Sequence, residues 1–475
     1  MMTERRKYTP RPYAAIAMDH LANVERCALW AKPGMGKSVI TMTFLDILHN
    51  VAGEDAPTLV LAPPRVARDT WTTEARKWDH LRGLDVVAVV GDPDQRQEAL
   101  RRDAHVYVTN YENTMWLRSH FKATRRAWPF RTVVSDEAHK LKGFRLRQGT
   151  KRARALAEFA HTEVRRWINL TGTPASNGLK DLWGQTWFLD AGRRLGRSYE
   201  GFEQRWFAYR KAKDAISGKP SIVPIILPNA HEEIHARLAD ICLTLDPKDW
   251  FDLREPVVNV IEVDLPATAR VKYRELEREL FTMLGTVEVE VFSAAALSNK
   301  CLQFANGATY LDPARYGEGA WAEVHQEKIE ALRELVDATG DDPLLVAYQF
   351  QSDRERILRE WPDALDLANA THMARAKRGE GKVWVGHPQS IGEGVDGLQE
   401  HCNTIVFFGQ TWRLDLHDQV IERVGPMRQM QSGKDRNVFV HYIVARGTVD
   451  EAVLARRDGK RSVQDALLDY MKGDQ

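Results

Sequence analysis

The chain has few cysteines, no long apolar run and almost no charge imbalance, and each absence removes a class of protein. Its four cysteines, Cys27, Cys242, Cys301 and Cys402, stand far apart and form no C-x-x-C pair. That argues against a disulfide framework and against a thiolate zinc site. They read as buried thiols of a protein kept in a reducing cytoplasm. The 15 histidines show no H-E-x-x-H spacing. No apolar stretch approaches the roughly 18 residues of a membrane-spanning helix. The opening MMTERRKYTP lacks the apolar centre of a secretory signal. Lys plus Arg number 67 and Asp plus Glu 66, a net charge of +1, so affinity for a polyanion has to come from a local basic surface.

What is present is a long chain of ordinary globular composition. Its 475 residues are 43% hydrophobic and 28% charged, enough for large cores without staples. Short β-branched runs alternate with polar helical stretches, the pattern of an α/β fold with parallel sheets. CALWA (27–31), TLVLAP (58–63), DVVAVVG (85–91), HVYVTN (105–110), RTVVSDE (131–137) and WINLTGT (167–173) read as strands of a first doubly wound lobe over 1–190. Residues 191–255 are rich in Arg, Lys and aromatics and broken by Pro220, Pro224 and Pro228, which predicts a helical protrusion or linker. The alternation returns over 256–475 in VVNVIEV, LLVAYQF (344–350), KVWVGH (382–387), NTIVFFG (403–409) and VFVHYIV (438–444). That is a second lobe, closed by a helix over Val449–Met471.

AKPGMGKS (31–38) follows a predicted strand and opens a predicted helix. Gly34 and Gly36 let backbone amides around Met35 turn toward a phosphate, and the helix start adds positive charge. Lys37 is placed to reach the β- and γ-phosphates of ATP, and the Ser38 hydroxyl to ligate Mg²⁺. Ala31 stands where the usual pattern has its first glycine. SDEAH (135–139) ends another apolar strand. Two adjacent carboxylates there are costly to bury unpaired, and a metal ion relieves the cost. Asp136 is therefore the candidate metal ligand and Glu137 the group that polarises the attacking water, with His139 linking onward.

Further motifs follow in a fixed order. LTGTPASNGLKDLWGQTWFL (170–189) resembles the third motif of the Swi/Snf-type branch of the superfamily 2 helicase-like ATPases. LVLAPPRVARDTWTTEARKW (59–78) and VTNYENT (108–114) resemble its V-x-P…W-x-x-E and T-x-Y-E segments. SIGEGVDGLQ (390–399), FFGQTWRLDLHDQVIERVGPMRQ (407–429) and GTVDEAVLARRDGK (447–460) resemble the motifs of its second lobe. The ending GPMRQ is similar to that of compact phage-encoded relatives.

The resemblance implies two RecA-like lobes in tandem that bind ATP and Mg²⁺ between them and move on DNA, duplex rather than single-stranded. It places Arg11 and Tyr13 of RPYAAI beside the adenine, although Ala14 stands where the family has glutamine. Gly394 and Asp396 fall in the nucleotide-contacting fifth motif, with Asp396 in place of asparagine. The family's two arginine fingers map to Arg423 and, because Pro426 occupies the second position, to Arg428. Pro64, Arg65, Thr109, Asn110, Tyr111 and Thr173 in the first lobe are expected to grip nucleic acid. Gln349, His387, Ser390 and Trp412 are expected to do so in the second. Thr171 with Thr173 would couple the ATP site to the track. The segment 193–214 interleaves basic and aromatic residues, either as a DNA-facing surface or as a solvated helix with its aromatics in the core. A strand-separating or branch-migrating helicase, and an ATP- and DNA-binding scaffold, are compatible with the same residues.

Overall fold

The computed structural model describes residues 5–147, 149–175, 178–213, 220–286, 291–392, 395–434 and 436–459. The chain divides into two units, Met1–Tyr209 with Pro224–Asp252, and Arg210–Val223 with Leu253–Gln475.

The first unit is built on β1 (Arg26–Ala31), β2 (Thr58–Ala62), β3 (Val86–Ala88), β4 (Val106–Asn110), β5 (Thr132–Asp136) and β6 (Arg166–Thr171). β7 (Phe207–Lys213) and β8 (Pro220–Ile226), which pair with each other, each cross the boundary between the units, and β9 (Cys242–Leu245) returns to the main sheet. The seven-stranded order is β3-β4-β2-β5-β6-β1-β9, and every pairing in it is parallel. β2 and β5 are buried along their whole length, as strands covered on both faces must be. Parallel pairing brings the carboxyl ends of β1, β5 and β6 to one edge of the sheet. One side chain fastens the other end. Arg26, at the start of β1, donates to the Ala160 carbonyl at 2.6 Å and to the Phe188 carbonyl at 2.7 Å. Those carbonyls end the helices Lys151–Ala160 and Lys180–Asp190, where a cation meets unpaired backbone oxygens and the negative pole of each helix.

The expected helical protrusion over 191–255 takes a different form. Residues 224–252 belong to the first unit, and β9 becomes an edge strand of its sheet, with Ala28 opposite Cys242 and Ala31 opposite Leu245. Three aromatics of the 193–214 segment go to the core, while Tyr199 is half-buried and Tyr209 is exposed. Phe202, Trp206 and Phe207 are buried, and the Trp206 indole donates to Glu233 at 2.9 Å.

The second unit carries β10 (Val257–Val263), β11 (Ala308–Tyr310), β12 (Trp321–Glu323), β13 (Leu344–Ala347), β14 (Leu365–Asp366), β15 (Val383–Gly386), β16 (Thr404–Phe407) and β17 (Phe439–Ala445). Its six-stranded sheet runs β10-β17-β16-β13-β15-β14, again wholly parallel, while β11 and β12 form a small antiparallel pair. Two parallel-sheet α/β lobes are therefore present, as the sequence pattern predicts. The last described helix is Val449–Gly459, and the remainder of the helix expected to reach Met471 lies outside the described residues. All four cysteines are free and buried. Among the described residues, no helix is long and apolar enough to cross a membrane.

Candidate active site

Three loops leave the carboxyl edge of the first sheet next to one another. The phosphate loop follows β1. Gly36 caps the helix Lys37–Asp46 in a left-handed conformation, φ 72°, which a side chain would strain. Gly34 is also left-handed, and Met35 is buried. Lys37 Nζ donates to the Ala31 carbonyl at 2.5 Å, and Ser38 is half-buried at the helix start. The LTGTP loop after β6 packs on this turn. A Cβ at Gly172 would stand 2.9 Å from Pro33 Cδ and 3.4 Å from the Ala31 oxygen, so glycine is what permits the contact. Thr171 is buried and its hydroxyl accepts from the Thr173 amide at 3.2 Å. Gln185 ties the same loop down by donating to the Pro174 carbonyl at 2.5 Å.

The acidic turn ends β5. Asp136 is buried, and its Oδ2 accepts from the Trp71 indole at 2.9 Å. Burial, and then the charge of Glu137, raise its carboxyl well above the usual range, while the Trp71 N–H and Lys37 pull the other way. Tyr111 donates to the Asp136 carbonyl at 2.8 Å, and burial with the Asp136 charge raises its phenol well above 10. Glu137 is held left-handed at φ 57°, ψ 54°, uncommon for a residue with a side chain and found where surroundings enforce it. His139 Nδ1 stands 3.2 Å from the Glu137 carboxylate.

The expected Mg²⁺ fits these residues. Ser38 and Asp136 offer the hard oxygens that ion prefers. Asp136 is a buried carboxylate whose side-chain hydrogen-bond partner is the neutral Trp71 indole, an environment a cation relieves.

Arg11 is exposed and precedes the helix Pro12–Asn23, in which Tyr13 and Ala14 are buried. Tyr13 meets the rings of Trp250 and Phe251 edge-on at 5.7 and 6.0 Å, and the Arg11 guanidinium lies 5.6 Å from the Phe251 ring. Trp250 and Phe251 were not foreseen. They follow β9, whose end pairs with Ala31, so this aromatic group leaves the sheet at the same edge as the phosphate loop. Trp71 was also missed as a partner of Asp136, although it is the tryptophan of the W-x-x-E segment.

The proposed nucleic-acid residues divide by burial. Pro64 is exposed, Arg65, Asn110 and Thr173 are half-buried, and all four lie at or just beyond the ends of strands. Thr109 and Tyr111 are corrections. Both side chains are buried, Thr109 donating to the Val89 carbonyl at 2.7 Å and Tyr111 to Asp136, so they brace the strand ends instead of presenting polar groups to phosphates. In the second unit Gln349, His387 and Ser390 are half-buried. The Ser390 hydroxyl donates to the His387 carbonyl at 2.9 Å, and burial followed by the Arg413 charge lowers the His387 pKa. Trp412 is the third correction: it is buried and its indole donates to Ser298 at 2.7 Å, which makes it a core residue.

Arg423 and Arg428 are both engaged. Arg423 donates to the Val395 carbonyl at 2.8 Å and to the Gly392 carbonyl. Arg428 Nη1 lies 2.9 Å from Asp396 Oδ1. Gly394 lies outside the described residues.

The chain is similar to several known proteins. Residues 16–274 match the model of the SNF2-related domain. A phage protein from the Acyrthosiphon pisum secondary endosymbiont phage 1, putative protein p41, is 46% identical over 98% of this chain and 99% of its own length. Helicase SWR1 of Candida albicans is 33% identical over 42% of this chain, which spans 12% of that helicase. An archaeal structure, the Sulfolobus solfataricus SWI2/SNF2 ATPase core in complex with double-stranded DNA, aligns over 99% of this chain and 96% of its own at 20% identity and a TM-score of 0.42. On its family-model match over more than half of its length, the chain belongs to the SNF2-related family.

Proposed function

We propose that this protein is a DNA-dependent ATPase that couples ATP hydrolysis to movement on DNA, with duplex as its track. The observation that carries the proposal is the turn at the end of β5. A buried Asp136, its carboxyl raised by burial and by Glu137, precedes a Glu137 held in a left-handed conformation, on the sheet edge that also carries Lys37 and the LTGTP loop.

In this scheme Lys37 and the amides of the 34–36 turn hold the β- and γ-phosphates. Asp136 and Ser38 would hold Mg²⁺, which supplies neutralisation of the phosphate oxygens. Glu137 orients a water and accepts its proton as the oxygen attacks the γ-phosphorus. The bond from that phosphorus to the bridging oxygen breaks, and ADP and inorganic phosphate leave. His139 restrains the Glu137 carboxylate. The Thr171–Thr173 loop packs on the phosphate loop and is the path by which nucleotide state reaches the strand-end residues Pro64, Arg65 and Asn110. Contacts from such residues to phosphates carry little base information, so movement is expected to be independent of sequence.

The test is ATP turnover with no DNA, single-stranded, duplex and forked DNA, together with displacement of a third strand from a triplex. Duplex-stimulated turnover with triplex displacement supports translocation. Unwinding of the fork would indicate a strand-separating helicase, and absence of stimulated turnover would indicate a scaffold.

A further inference from the structure

At the amino edge of the first sheet, opposite the phosphate loop, a cavity of about 240 Å³ is lined by Arg131, Arg165 and Arg166 and by the turn that carries Gly53 and Glu54. We propose that it is a second anion site, which takes a compact oligophosphate: two or three linked phosphate groups, free or as the end of a nucleotide. The inference does not rest on the ATPase reaction, which uses none of these residues.

Position sets the cavity apart from the ATP site. β5 runs from Thr132, in the cavity wall, to Asp136, and β6 runs from Arg166 to Thr171. At about 3.3 Å per residue the two ends of each strand lie about 13–16 Å apart. The helix that starts at Lys37 continues through Ile47–Val51, and Leu48 at its far end also lines the cavity.

The walls are fixed by the chain's own bonds. On one side the Arg131 carbonyl accepts from the amides of Arg165 and Arg166 at 2.9 and 3.0 Å. The Arg166 guanidinium donates to the Leu21 carbonyl at 2.6 Å and lies 5.1 Å from the Phe44 ring. Arg131 donates to the Glu163 carbonyl at 3.3 Å. On the other side the amides of Ala52 and Glu54 donate to the carbonyls of Ile47 and Leu48 at 2.8 and 3.0 Å. The buried His49 ring bridges the Glu54 carbonyl at 2.8 Å and the Thr58 hydroxyl at 3.0 Å. Gly53 is left-handed, φ 73°, and a Cβ there would meet nothing within 4 Å, so the turn borders open space.

Charge and size select the ligand. Three arginines line the cavity against one carboxylate, Glu54. Burial lowers the Arg166 pKa, and the charges of Glu25 and Glu54 act against that fall; Arg165, raised chiefly by its bond to Glu25, also feels Glu54. The Arg165–Glu25 pair, at 2.6 Å, is exposed, and such pairs are worth little, so an incoming anion can take Arg165 over. Guanidinium forks match phosphate oxygens two at a time. Pockets that enclose drug-sized ligands span about 300–1,000 Å³. This smaller one suits linked phosphates and leaves a base outside.

The test is calorimetric titration of the full-length chain with pyrophosphate at low salt. The chain carries Lys37→Ala to remove the phosphate-loop lysine, and the melting temperature of each variant is measured. One saturable site is expected, weakened by added salt. Adding Arg131→Ala should weaken pyrophosphate about 10-fold, the scale of a lost bond to a charged group. Ala52→Phe, at an exposed position of the wall, should abolish binding at unchanged melting temperature. Glu54→Gln should tighten binding about 3-fold by removing a like charge. Uridine diphosphate that binds with the same sensitivity to Arg131→Ala would identify a nucleotide's end as the source, and pyrophosphate binding without it would identify the free ion. Absence of pyrophosphate binding, or binding that Arg131→Ala and Ala52→Phe leave unchanged, would overturn the inference. So would variants that alter duplex DNA binding and not pyrophosphate binding. The ATPase reading stands in each of those cases, and loss of DNA-stimulated turnover in the wild type would leave this site untouched.

Discussion

Both units bury an aspartate near a lysine, and they treat it in opposite ways. In the second unit Asp450 and Lys328 are both fully buried and meet at 2.6 Å. Lys328 also donates to Asn306 at 2.7 Å, and Asp450 accepts from the Ala445 amide at 2.9 Å. Nearby Asp353 accepts from Asn306 and from the amides of Gln349 and Phe350, and burial still pushes its carboxyl up to about 6. In the first unit Asp136 has an indole N–H as its side-chain partner and Glu137 as its neighbour. The lesson is one of charge balance. The matched pair of Lys328 and Asp450 holds the fold together, whereas Asp136 has a neutral indole at its carboxylate and Lys37 only as a nearby charge, and in the function proposed here that is where a cation would be held.

The sharpest way to break that contrast is to remove charge on each side. Glu137→Gln and Lys37→Ala should each lower DNA-stimulated phosphate release about 10²–10⁴-fold, with folding intact by circular dichroism and, for Glu137→Gln, nucleotide binding retained. Lys328→Ala should instead damage stability. Leaving Asp450 buried without its cation is expected to cost about 3–5 kcal/mol in denaturant unfolding, and Lys328→Met combined with Asp450→Leu should recover most of it. If the single variant unfolds like wild type, the pair does not hold the fold.

Two smaller effects sharpen the comparison. Trp71→Phe keeps the buried ring but deletes the N–H to Asp136, so turnover should fall about 10-fold on the scale of a bond to a charged group, with a changed Mg²⁺ dependence. Asp136→Asn should abolish turnover yet stabilise the chain. The folded carboxyl is raised above its unfolded value, so its ionised form weakens the fold at pH above the raised value. The penalty shrinks as pH falls through that value and is gone below the ordinary 3.8. The variant is therefore expected to melt about 2–4 °C higher at pH 7.5, with the gain vanishing in acid. A lower melting temperature at pH 7.5 would contradict the picture of Asp136 as a strained site.

Much of this was legible in the residues. Strands buried on both faces write themselves as apolar runs, and phosphate and metal chemistry needs fixed residues at fixed spacing, so Lys37, Asp136 and Glu137 could be placed before any coordinates. Partner choice was not legible. Nothing in VTNYENT says that Thr109 and Tyr111 turn inward, because that depends on which carbonyls of β5 and the loop after β3 arrive beside them. Trp412 reads as a candidate nucleic-acid contact until Ser298, more than a hundred residues earlier, is brought to its indole. β14 has two residues, too few for a periodic signal. β9 joins the first sheet only after the 193–241 excursion, so composition assigned it to a protrusion. The Asp396–Arg428 pair was visible as two separate departures and became one feature only in three dimensions.

The most direct measurement is phosphate release by the wild-type chain and Glu137→Gln, each with and without duplex DNA. The account predicts that duplex accelerates the wild type and that Glu137→Gln binds nucleotide without releasing phosphate under either condition. Equal release from the two proteins, or a wild type indifferent to duplex, would contradict it.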